Sequence, residues 1–139
     1  MTQSNGFLFT YGTLRKGVDI PMQRFLSNRS TWMGEAIFQG KLYYVGGHPA
    51  AVPSSSKKDA VTGDLFRIDN GTDLIRRLDQ YEGFDENNRK GSLYIREKRK
   101  VRLKKSDKTL LAWIYLFNKP VDDSQKIESG NYLHYYWDK

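Results

Sequence analysis

The segment Leu78-Asp79-Gln80-Tyr81-Glu82-Gly83 carries the strongest candidate for proton-transfer chemistry in this sequence. Glu82 lies four positions after Leu78, so a helix that runs this far puts its carboxylate on the apolar stripe. It also falls in the last turn, where the helix dipole disfavours negative charge. Burial and dipole both push a carboxyl pKa upward, which is how a carboxylate becomes a base near neutral pH. Asp79, one position on from Leu78, is expected to face another direction. A frayed last turn would instead leave Glu82 as a solvated surface charge.

A second candidate is Tyr11-Gly12-Thr13-Leu14-Arg15. Gly12 ends an aromatic strand and can adopt positive φ or let a ligand approach closely. The backbone amides of Thr13 and Leu14 then face a cavity and bind an anion or a developing oxyanion. The plainer alternative is a strand that ends in an ordinary turn. A third feature is the run Arg96, Lys98, Lys100, Arg102, Lys104, which an extended chain places on one face, with Leu93, Ile95, Val101 and Leu103 on the other. That stripe reads as a solvated outer sheet face. A phosphate-binding stripe is the sharper alternative, but no aromatic RNA-binding motif accompanies it. His48, before Pro49 in a glycine-rich turn, reads as structural or exposed.

Composition narrows the chemistry further. The 139 residues include no Cys, so thiolate catalysis and Cys-ligated metals are excluded. Only His48 and His134 could serve a histidine-dependent site, and neither stands in a metalloprotease or serine-hydrolase motif. No metal or cofactor is expected, and carboxylates lead as acid–base groups. The 23 basic and 16 acidic residues give a net charge of +7. The longest apolar run, Leu110 to Phe117, is far short of the roughly 18 residues a membrane span needs. Met1 to Asn5 lack the basic start and apolar run of a secretory signal, so a soluble, cytoplasmic protein is expected.

These candidates need elements to hold them. Phe7 to Tyr11 reads as a strand between glycines, and Asp19 as the cap of a short helix with Pro21 in its first turn and Met22, Phe25 and Leu26 on one face. Thr31 to Val45 is strand material broken by glycines, and Val61 to Ile68, Ser92 to Leu103 and Thr109 to Phe117 are strands. Pro53 to Lys58 is a loop or hairpin tip. Gly71 to Gly83 is the clearest helix: Leu74, Ile75, Leu78 and Tyr81 share a face, and Gly83 sits at the C-terminal cap position. Tyr132, Tyr135, Tyr136 and Trp137 are expected to pack the chain end onto the core. At least five strands with two short helices among them point to one α+β domain over residues 1–139.

Taken together, these segments resemble the gamma-glutamyl cyclotransferase-like family, in its short type with a YGTL loop. The matching stretches are Tyr11 to Arg15, Gly63-Asp64-Leu65-Phe66, Leu78 to Phe84, Tyr94-Ile95-Arg96, Ala112-Trp113-Ile114-Tyr115, and Ile127 through Ser129-Gly130-Asn131-Tyr132. The resemblance implies a small mixed β-barrel with short helices packed on it and a polar cavity at one end. It implies Glu82 as general base, with Tyr11, Gly12, Thr13 and Leu14 as the substrate-binding loop. It further implies release of 5-oxoproline from a gamma-glutamyl amine or related small molecule by intramolecular cyclisation. His48 departs from the aromatic that relatives often carry before the proline of the central loop. The competing expectation is a non-enzymatic module that uses Arg96 to Lys104 to bind nucleic acid or an acidic partner.

Overall fold

Five strands close on themselves in the order β1-β5-β2-β6-β7. The computed structural model describes residues 6–68 and 71–137, apart from the side chains of residues 71, 72, 136 and 137. In chain order its elements are β1 (Gly6–Thr10), α1 (Pro21–Ser27), β2 (Ser30–Phe38), β3 (Gly40–Val45), β4 (His48–Pro53), β5 (Val61–Ile68), α2 (Gly71–Glu82), β6 (Tyr94–Leu103), β7 (Thr109–Phe117) and α3 (Tyr132–Trp137). The barrel is mixed. Its neighbours pair antiparallel except β1 and β7, which run parallel and meet at Leu8 and Trp113. The closed sheet, with β3 and β4 as a separate two-stranded sheet beside it, is the expected α+β barrel.

The barrel is packed from within and covered from without. Phe9, Phe38, Leu65, Val101, Leu103 and Ile114 belong to one cluster of buried side chains. A second cluster forms where α2 brings Leu74 and Leu78 against Leu8, Phe66, Tyr94, Tyr115 and Phe117. Each fully buried leucine contributes about 2 kcal/mol, so this contact anchors the helix that carries Glu82. Tyr132 is buried at the chain end and Tyr135 packs against the same core; the side chains of Tyr136 and Trp137 lie outside the described residues.

Four expectations need correction. Asp19 does not cap α1: Ile20 holds the cap position without a side-chain bond, Pro21 opens the helix, and Asp19 pairs with Arg24 instead. Tyr81 leaves the apolar face of α2 and stands 45% exposed. His48-Pro49-Ala50-Ala51 is a strand, β4, paired with β3 across the Gly46-Gly47 turn, where both glycines take positive φ. Finally, the outer face of β6 is not uniformly solvated. Lys98, Lys100, Arg102 and Lys104 are exposed, but Tyr94 and Arg96 have the same parity and are drawn under the end of α2.

Candidate active site

The C-terminus of α2 is fixed by backbone chemistry. Gly83 takes φ +72, a conformation that side chains with a Cβ disfavour, and so stops the helix one residue after Glu82. The Phe84 N–H then donates to the Asp79 carbonyl at 2.9 Å and the Gly83 N–H to the Gln80 carbonyl at 3.3 Å. This paired closure is the Schellman arrangement, and it holds Glu82 firmly as the last helical residue. Phe84 is buried beside Leu78, so the chain cannot fray there without exposing an aromatic ring.

The loop after β1 is fixed from its other end. The Arg15 N–H closes a turn on the Gly12 carbonyl at 3.1 Å. The Arg15 guanidinium, 2% exposed, donates to Asp64 and Glu35 at 2.9 Å each and to Asn131 at 3.0 Å. Asp64 also accepts from the Lys16 N–H and the Trp32 ring N–H. Gly12 does not use a positive φ. A Cβ there would lie 2.5 Å from the Pro49 ring, so glycine is required because β4 passes so close. Among the described residues, no acceptor takes the N–H of Thr13 or Leu14.

Between these two fixed segments lies a hollow of about 400 Å³. Tyr11, Gly12, Thr13 and Leu14 line it from the loop, Glu82 and Gly83 from the helix end, Tyr94 and Tyr115 from the barrel wall, and His48 and Pro49 from β4. Glu82 therefore borders the same cavity as Tyr11, Gly12, Thr13 and Leu14, whereas Asp79 and Arg15 lie outside its lining. Thr13 and the exposed Tyr81 bring their hydroxyls within 3.0 Å of each other, linking loop to helix. His48 is exposed where it lines the hollow.

Electrostatically the hollow is unusual in leaving its carboxylate alone. Glu82 has no hydrogen-bond or ion-pair partner among the described residues, and no Lys or Arg lines the cavity. Burial raises its pKa, the Asp79 charge raises it further, and together they push it up to about 8. Asp79 is near enough for its charge to act on Glu82, while its carboxylate is directed to other partners and it does not line the hollow. It sits one turn back in the helix, accepting from Arg96 at 2.8 and 3.2 Å and from the Tyr115 hydroxyl at 2.6 Å. Arg96 in turn stacks on Trp113, with its guanidinium 4.4 Å from the ring centroid. The stripe on β6 therefore loses its first member to a structural ion pair.

Tyr94 and Tyr115 were not singled out as site residues from the sequence. Both have the parity of the outer barrel face on adjacent strands, and two polar aromatics so placed were the available signal. Burial, followed by the neighbouring charges, raises both phenol pKa values, so both stay neutral at physiological pH. Among the described residues, no group of three or more acidic, His or Cys side chains is arranged to hold a metal ion. No helix there is long and apolar enough to cross a membrane.

Residues 8–134 match the family described as "Gamma-glutamyl cyclotransferase, AIG2-like". The chain belongs to that family. Among curated relatives, the gamma-glutamylcyclotransferase family proteins YtfP of Citrobacter rodentium and Escherichia coli K12 are each 30% identical over 133 residues. That alignment covers 91% of this chain and 94% and 95% of theirs. Among solved structures, YkqA from Bacillus subtilis superposes with a TM-score of 0.71 at 24% identity. The match covers 98% of this chain but only 44% of that one, so this chain spans less than half of YkqA. An AIG2-like protein from Mus musculus gives a TM-score of 0.66 at 20% identity, covering 87% of this chain and 82% of its own. These structural likenesses establish the AIG2-like barrel. The roles of individual residues rest on the cavity itself.

Proposed function

We propose that this protein releases 5-oxoproline from a gamma-glutamyl amine or related small molecule by intramolecular cyclisation, with Glu82 as general base. The observation that carries the reading is the shared hollow, which is lined both by Glu82, an unpaired carboxylate of raised pKa, and by Thr13 and Leu14, whose N–H groups have no acceptor among the described residues. Membership of the gamma-glutamyl cyclotransferase family supports it.

The chemistry needs little else from the protein. Glu82 takes a proton from the substrate's α-ammonium, and the freed amine attacks the γ-carbonyl carbon of the same molecule. A five-membered ring forms through the new C–N bond, and the carbonyl electrons pass to oxygen. As that oxyanion collapses, the original γ-amide C–N bond breaks and the leaving nitrogen takes the proton held by Glu82; the ring nitrogen then gives its second proton, through the freed Glu82 carboxylate, to the departing amine, which leaves as an ammonium. Because nucleophile and electrophile share one substrate, no side-chain nucleophile is required, and the walls act by folding the substrate into its reactive conformer. Backbone N–H groups in the loop from Gly12 to Leu14 supply donors for the α-carboxylate or the oxyanion. A carboxyl with a pKa of about 8 and a free amine hold the same total proton as a carboxylate and an ammonium, so the reactive complex assembles from either pair.

The test is a screen of gamma-glutamyl amines, gamma-glutamyl dipeptides and glutathione for 5-oxoproline release, with the Glu82→Gln protein as blank. Glutamine keeps the shape and removes the basicity, so loss of a general base predicts a rate about 10²–10⁴-fold lower. A Glu82→Gln protein as active as the wild type would falsify the assignment of the base. Failure of every gamma-glutamyl compound would overturn the reaction.

A further inference from the structure

Of the four tyrosines that line the hollow, Tyr81 shares its hydroxyl with Thr13, while Tyr11, Tyr94 and Tyr115 have committed their protons to carboxylate or carbonyl acceptors. A phenol has one O–H donor and two lone pairs, and carboxylates and carbonyls can only accept. The Tyr115 hydroxyl therefore donates to Asp79 at 2.6 Å, Tyr94 to the Pro49 carbonyl at 2.5 Å, and Tyr11 to the Tyr115 carbonyl at 2.5 Å. Tyr11 also accepts from the Ala51 N–H at 3.3 Å. Among the described residues, no donor reaches the oxygens of Tyr94 or Tyr115. What these two side chains still offer is lone pairs. Both line the same cavity as Glu82 and are near enough to feel its charge.

A wall made of two acceptor-only hydroxyls and a carboxylate, with no cationic side chain in the lining, complements a group that only donates and carries positive charge. Resting on the proposed cyclisation, we propose that Tyr94 and Tyr115, beside Glu82, form a subsite for the primary ammonium group of the bound substrate. Asp79 and Arg96 act through Tyr115. The Arg96 guanidinium holds the Asp79 carboxylate in place, and that carboxylate keeps the phenol proton turned away from the cavity. The loop that also lines the hollow carries two N–H groups, those of Thr13 and Leu14, with no acceptor among the described residues. A compound with α-ammonium and α-carboxylate on one carbon matches both walls.

The test compares two ligands that differ only in the amine, γ-L-glutamyl-n-butylamide and glutaric acid mono-n-butylamide. Both are titrated by calorimetry into the Glu82→Gln protein, so that the measurement does not depend on turnover. The amine-bearing compound is expected to bind at least 10-fold more tightly, and adding Tyr94→Phe or Tyr115→Phe is expected to remove about 10-fold of that preference each. Thermal midpoints check the folding of each variant, and the ligand pair in the Tyr-intact protein gives the answer without them. Equal affinity for the two compounds, binding of neither, or a preference unchanged in both tyrosine variants would overturn the subsite. Release of 5-oxoproline with equal binding retains the cyclisation and overturns the subsite, whereas a strong preference with no release from any compound retains the subsite and overturns the cyclisation.

Discussion

Arg15 and Glu82 are both charged groups drawn into the protein beside the loop that follows β1, yet their surroundings differ completely. Arg15 meets two carboxylates and an amide, and its partner Asp64 accepts from two further donors, the Lys16 N–H and the Trp32 ring N–H. Even Glu35, half exposed at the edge of this cluster, is affected. Partial burial alone would raise its carboxyl pKa, but hydrogen bonds from Lys104 and Arg15 outweigh that and hold it below the usual value. Glu82 has no such partner, and its pKa moves the opposite way. A neutralised cluster holds backbone in place, while an unneutralised carboxylate keeps its appetite for a proton. The first neighbour fixes the end of the loop, and the second is the one for which we propose a role in proton transfer.

Breaking the paired side should have the largest effect on the protein. Arg15→Met leaves Asp64 buried without its cation and should cost about 3–5 kcal/mol of stability, read by denaturant unfolding. Unchanged stability would mean that the Arg15 cluster does not anchor the loop.

The unpaired side should show itself through pH. Glu82 binds its proton more tightly when folded than unfolded, so its contribution is fully present below the ordinary carboxylate value and is lost as pH rises through about 8. Relative to Glu82→Gln, the wild type should therefore lose on the order of 3 kcal/mol between about pH 5 and about pH 9, after a discount for partial exposure. Parallel stability curves for the two proteins would contradict this.

A smaller effect separates burial from charge as the cause. Asp79→Asn removes the second contribution to the raised Glu82 pKa and leaves the first. The acid limb of kcat/KM should move to lower pH. A limb that moves upward, or stays, would show that Asp79 acts only through structure.

Much of this arrangement was legible in the chain, and the limits have physical causes. Val61 to Ile68 and Thr109 to Phe117 are strands with the expected bounds, because local alternation and turn residues mark them. Gly83 announces the end of α2, because only a glycine cap takes its φ cheaply. The companions of Glu82 were harder to see. Counting along the helix sends Asp79 in another direction from Glu82, but it cannot name the partners there, Arg96 on β6 and Tyr115 on β7, which are remote in sequence. Arg96 looked solvated because parity says which face a residue is on, not whether a helix covers that part of the face. Gly12 suggested backbone freedom, whereas its constraint comes from Pro49, remote in sequence. Arg15 in a polar loop gave no sign of burial, since its partners come from β2, β5 and the segment before α3.

The central claim is that Glu82 faces the hollow as an uncompensated carboxyl and so stays protonated well above the ordinary carboxylate range. Carbon-13 NMR titration of the side-chain carboxyls, with the Glu82 signal assigned by its absence in Glu82→Gln, measures this without a substrate. The predicted midpoint is about 8, and a midpoint near the ordinary 4.5 would contradict the account.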